Sequence, residues 1–171
     1  MAEQTISQAL RRIKKIKGQL AEHRTHAEDA VTHLAAHKPA FAFGATRELA
    51  NAAVTELLAL QTAVAVANAT TLIEIDGRKV PLAFAVRALR EMTSEIAWLR
   101  GLNVRTQETT VEHERSYLDD GKIGLVSKEW TCHLPEAKRV ELANAAQDRF
   151  DKLNDLVETV NPKTHIPPFG G

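Results

Sequence analysis

The chain has 171 residues, a length that fits one domain able to bury about two-thirds of its unfolded surface. Its 22 basic and 22 acidic residues cancel, and no stretch gathers enough of one sign to form a footprint for nucleic acid or anionic lipid. Cys132 is the only cysteine, which excludes an internal disulfide and any CxxC metal or redox motif; aromatics at 5% leave Ala, Leu, Ile and Val to fill a core between close helices.

The opening MAEQTISQALRR has no basic segment followed by an apolar core, and no window is read as the ~18 to 20 apolar residues that span a bilayer. A cytoplasmic chain without a membrane span is expected. Ile6, Leu10, Ile13, Ile16, Leu20, Ala27, Val31 and Leu34 fall mainly at threes and fours and predict a first long helix. Arg11, Arg12, Lys14, Lys15 and Lys17 alternate with Ile13 and Ile16 and read as its solvated face. A helix of about 30 residues reaches ~45 Å, so part of its flank is expected to meet another subunit. It should stop near Lys38-Pro39, because the residue before a proline is pushed out of the α region.

AFAFG then forms a connector in which Phe41 and Phe43 pin the loop to the helices beneath, or offer a patch that needs a partner. Thr46 is read as the cap of a second helix carrying Leu49, Ala53, Leu57, Leu60, Val64 and Ala67, which completes an αα-hairpin. In TTLIEIDGRKV the β-branched residues flank Asp76-Gly77, a pair suited to a tight turn, so a small β-hairpin is expected from Leu72 to Val80. Pro81 is read as the first residue of a third helix, with Leu82, Ala85, Leu89, Met92, Ile96 and Leu99 on one face, ending between Gly101 and Arg105. Between Thr106 and Leu134 a short strand or ordered loop is expected around Ile123, Leu125 and Val126. Pro135 opens the last helix, carrying Ala143, Ala146, Phe150, Leu153, Val157 and Val160, and the tail THIPPFGG cannot be helical.

Two self-matches suggest an internal repeat. A shift of 76 lays Ile6 to Arg24 over Leu82 to Arg100, and a shift of 93 superposes Asn68, Thr71 and Ile73 on Asn161, Thr164 and Ile166. The second pattern is read as a helix-exit device, with Asn in the left-handed conformation and Thr bonding the freed backbone. The units run over 5–74 and 81–166, and the shifts differ by 17 (93 minus 76), which places an insertion in 106–134 of the second unit. The fold class expected is mainly α: two duplicated antiparallel helical hairpins, four long helices in a bundle or coiled-coil-like packing, with a small β-hairpin and a short strand or loop insertion.

Chemistry is thinly marked. His33 and His37 stand one turn apart on the expected first helix, below His26 and His23, and are the candidate metal ligands; with no third ligand placed by spacing, surface or capping roles are preferred. Glu112-His113-Glu114 sits in a polar run read as solvated. Cys132 and His133 are sequence neighbours whose side chains point apart in an extended segment, so a structural thiol is preferred to a nucleophile. GKIG at 121–124 lacks the glycine and the Ser or Thr of a phosphate loop. Trp98 and Trp130 are read as core or subunit contacts.

The order of these features, from ISQALRRIKKIKGQL through VANATTLIEIDGRKVPLAFAVRALR to the last helix ending near Asn161-Pro-Lys-Thr164, resembles the septicolysin-like family of small bacterial helical proteins. The resemblance spans most of the chain. It implies a helical fold and, through the family's name, a membrane-active cytolysin, and it carries no catalytic residues across. The residues themselves favour a non-enzymatic structural or interaction protein without a cofactor. They suggest a homo-oligomer whose insertion and tail contact neighbours, or a component of a phage or phage-like particle that meets other particle proteins and resides in the virion. A cytolysin and a His-dependent metal protein are the alternatives.

Overall fold

Thr5 starts the first helix by a reciprocal capping box: its hydroxyl accepts the Gln8 backbone N–H, and the Gln8 side chain accepts the Thr5 N–H. The computed structural model describes residues 3–34, 36–37, 39–105, 109–117 and 123–168. Lys38 of the expected helix end, Thr106 at the start of the expected insertion, Gly121 and Lys122 of the GKIG segment, and 169–171 of the tail lie outside them. The described chain is mainly helical, with α1 (Ile6–Val31), α2 (Phe43–Thr70), α3 (Leu82–Gly101) and α4 (Glu136–Val160). Two separate two-stranded antiparallel sheets complete it, β1 (Leu72–Ile75) with β2 (Arg78–Pro81) and β3 (Thr109–Tyr117) with β4 (Ile123–Thr131).

The chain divides into two compact units, Met1–Val86 with Asp155–Gly171, and Arg87–Asn154. In the first, α1 buries Ile6, Ala9, Ile13, Ile16 and Leu20, and α2 buries Ala50, Leu60, Ala63, Val64 and Ala67. Alanine recurs at these positions because it lets two helices approach closely. Arg12 pairs with Glu56 between α1 and α2. Among the described residues Ile6, Leu60 and Leu82 are the largest side chains fully buried.

α1 ends at Val31, well before Pro39, and Thr32 is already extended. Beyond Leu20 no residue of α1 is fully buried, so tertiary packing holds the last turns less firmly, and β-branched Val31 and Thr32 lower the helix propensity there. α2 is entered at Ala42 without a side-chain cap; Thr46 lies inside the helix, buried, with its hydroxyl donating to the Ala42 carbonyl at 3.0 Å. Thr46 is therefore a core residue, not the cap expected. Asp76 and Gly77 take the positive φ values that the tight β1–β2 turn needs, 50° and 75°. Pro81 is the last residue of β2, not the first of α3, and pairs with Leu72.

The two Asn-x-x-Thr-x-Ile segments make the same bonds. The Thr71 N–H donates to the Ala67 carbonyl at 2.9 Å, and the Thr164 N–H to the Val160 carbonyl at 3.1 Å. The Thr71 carbonyl accepts the first N–H of α3, from Leu82, at 2.8 Å; the Thr164 carbonyl accepts the first N–H of α1, from Ile6, also at 2.8 Å. Ile73 and Ile166 are both buried, and the Oδ1 of both Asn68 and Asn161 is buried without a hydrogen-bond partner. Among the described residues the only non-glycine with positive φ is Asp76, so neither Asn adopts the left-handed state expected of it. Where β1–β2 pairs Leu72 with Pro81, the other site pairs His165 with Thr5 in an isolated bridge, and the Ile166 N–H donates to the Gln4 carbonyl at 2.9 Å. The tail is thus tied at Thr164, His165 and Ile166 to residues 4–6 of its own chain.

In the second unit Ile96, Leu99, Ala143 and Ala146 form a small core with Leu102 and Phe150 against it. Arg139 donates to the carbonyls of Leu99 and Arg100, which the end of α3 leaves free. β3 and β4 are each nine residues long, in register from Thr109–Thr131 to Tyr117–Ile123. A two-stranded hairpin stands where one short strand or loop was expected.

If both Thr-x-Ile exits anchor the first unit, Ile73→Ala and Ile166→Ala should each lower unfolding free energy by ~2–5 kcal/mol, while Leu72→Ala, exposed, should change it by under ~0.5 kcal/mol. Urea denaturation followed by circular dichroism checks this.

Candidate functional site

Large apolar side chains need a cover, and the connector end of the α1–α2 hairpin leaves several without one. Val31 is 66% exposed, Leu34 72%, Phe41 48%, Phe43 45% and Leu49 55%. These residues lie within 19 positions of one another in sequence, in and beside the 32–42 connector. Phe41 stacks on His26 of α1, with ring centroids 4.0 Å apart and planes 12° from parallel, so one face of its ring is held against the helix. Phe43 is the first residue of α2 rather than a loop residue.

His33 and His37 are here too, both exposed, but α1 has ended before them and they share no helical face. The His37 N–H donates to the Leu34 carbonyl at 2.8 Å, closing a turn in the connector. Among the described residues no three His, Cys, Asp or Glu side chains converge as metal ligands do.

The same hairpin continues as an uncovered surface along α2. From Leu57 to Thr70 the helix contains no charged residue, and Leu58, Thr62, Ala65, Val66 and Ala69 are exposed. An 18-residue stretch of α2 is long and apolar enough to cross a membrane by length and composition, and only 17% of it is buried. Counting aliphatic runs overlooks this window because alanines, interrupted by Thr and Gln, make up much of it.

The tryptophans belong to the second unit. Trp98 is exposed on α3, next to Leu99 of the small core. Trp130 on β4 lies beneath the Arg105 guanidinium, 4.6 Å from the ring centre, and Arg105 also pairs with Glu112 of β3. Lys128 pairs with Glu114 across the strands, and Ser127 Oγ lies 2.9 Å from His113 Nδ1 on the opposite face. Cys132 is half-buried, its thiol donating to the Leu134 carbonyl at 3.1 Å while its sulfur accepts the Arg105 backbone N–H at 3.5 Å, which ties the chain before β3 to the chain after β4. The Ser127–His113 pair is exposed, and no carboxylate bonds the far nitrogen of His113 among the described residues.

No family model matches the chain, and no curated protein sequence does. Among solved structures it is similar to the crystal structure of a functionally unknown conserved protein from Corynebacterium diphtheriae, with a TM-score of 0.77 and 12% identity over 97% of this chain and 100% of that one. At that identity the likeness concerns the fold alone.

The Arg105 hydrogen bond holds the Glu112 carboxyl below the ordinary glutamate range; burial pushes the other way, and the charges of Arg105 and Lys128 and a bond from Trp130 reinforce the lowering. Because the folded value is depressed, this stabilisation is present above the unfolded glutamate value and is lost as pH falls through the folded one. Carbon-detected NMR should find Glu112 titrating below ordinary glutamates and returning toward them in Arg105→Gln.

Proposed function

We propose that this protein is a non-enzymatic structural or interaction protein that assembles with copies of itself through its first helical hairpin. One observation carries the reading: the uncovered apolar side chains from Val31 to Leu49, together with the uncharged outer face of α2 from Leu57 onward. Apolar surface favours burial by ~25 cal/mol per Å², and a second copy presents the same surface. Ala65 and Ala69, one turn apart and exposed, allow close helix approach, and the balanced charge of the chain imposes no overall repulsion between copies.

The fold behind this surface is a duplication, in which α1–α2 and α3–α4 descend from one helical hairpin. The matching Thr71–Leu82 and Thr164–Ile6 bonds and the equivalent burial of Ile73 and Ile166 support it. In one copy the exit and the next helix are joined by the Asp76-Gly77 turn; in the other, segments distant in sequence pair in its place. The 109–131 hairpin is the feature the first copy lacks.

A second reading is membrane association, favoured by the length and apolarity of α2 and in keeping with the cytolysin that the sequence resemblance implies. The two readings part in simple measurements. Light scattering after size exclusion, at micromolar concentration, should give a multiple of 18.9 kDa, and Phe41→Ser with Phe43→Ser and Leu49→Ser should shift it toward the monomer. A strictly monomeric wild type contradicts self-assembly, and dye release from liposomes by the wild type would favour the membrane reading.

A further inference from the structure

The outer face of α1 carries a seam of its own. Arg11, Lys15, Gly18, Glu22, Thr25 and Asp29 follow one another at alternating spacings of four and three, and all six are exposed. That is the spacing of a coiled-coil contact line, but charged residues fill it. The charge is also sorted: residues 11–17 hold five cations and no acid, whereas 22–29 hold Glu22, Glu28 and Asp29 against one arginine. Among the described residues none of Arg11, Lys15, Glu22 and Asp29 has an ion-pair partner. Gly18 sits near the middle, and a Cβ placed there would meet nothing within 4 Å, so the backbone is open to an approaching surface.

We infer that this seam packs against the same seam of a second copy, with the two α1 helices antiparallel about a two-fold axis level with Leu20. This deepens the proposed self-assembly and rests on it. In that register Arg11 faces Asp29 of the other copy, Gly18 faces Glu22, and Lys15 faces Thr25 with Glu22 within reach along the helix. The two-fold axis repeats each pair. A parallel pairing would set Arg11 on Arg11 and Asp29 on Asp29, and like charges would oppose it. Gly18 removes the side chain where the helices come closest. The charges select orientation and register at this seam, which lies on the side of α1 opposite its buried residues.

Charge reversal tests the geometry on the full chain. Arg11→Glu with Lys15→Glu makes the seam wholly acidic, and Glu22→Lys with Asp29→Lys makes it wholly basic. Each variant alone should weaken self-association at least tenfold by sedimentation velocity; an equimolar mixture of the two should associate as the wild type does, and so should a variant carrying all four changes. Because the substituted residues are exposed, wild-type helicity by circular dichroism is expected in every variant. Nitroxides attached in a Cys132→Ser background read the same geometry without altering a charge: the antiparallel register offsets the two copies along the axis by about 3 Å at Gln19 and about 15 Å at Thr25. A wild type that associates while both reversed variants associate equally well, or equal label separations at both positions, overturns the antiparallel seam and leaves self-assembly standing. A monomeric wild type overturns both.

Discussion

Four helix ends converge in the first unit, and each brings backbone groups that its own helix cannot satisfy. The decisive bonds are those by which the carbonyls of Thr71 and Thr164 accept the first N–H of α3 and of α1. Each ends one helix and starts another in a single contact, beside the buried Ile73 and Leu82 in one case and Ile166 and Ile6 in the other. With the ends fixed in this way, alanine-rich faces come together and the hairpin that presents the candidate site is set. The buried, unpartnered Oδ1 atoms of Asn68 and Asn161 lie at the same two exits.

Burial then explains where α1 ends. Its first half is held by five buried side chains, and its second half by none. A helix with little tertiary support ends where propensity falls, at Val31 and Thr32, and the connector that follows exposes Leu34 and Phe41. The apolar surface assigned to self-assembly therefore follows from the length mismatch between a long hairpin and a short core.

Periodic burial is what made much of this visible in the sequence. The threes and fours of α3 and of α1 as far as Leu20, Leu10 excepted, and the Asp76-Gly77 turn each reflect one strong local rule, and they appear where expected. β3 was missed because its residues 111–116 are exposed on both faces, so the alternation that marks a half-buried strand is absent from VEHERS. Cross-strand pairs such as Glu114–Lys128 support it, and such pairs cannot be read before the register is known. Thr46 and Pro81 were each assigned a helix start by residue type, a weaker guide than the backbone bonds that place the starts at Phe43 and Leu82. Phe41 and Phe43 were legible as contact residues, yet the His26 stack and the company of Val31, Leu34 and Leu49 depend on the early end of α1. The His33–His37 metal pairing relied on helical spacing that this same ending removes.

Self-assembly through the first hairpin is tested most directly by hydrogen–deuterium exchange at concentrations below and above association. Slower exchange at high concentration, confined to α1, the 32–42 connector and α2, is the result expected. Exchange in those segments that is unchanged across concentrations at which the mass rises, with protection appearing instead in β3–β4, would contradict it.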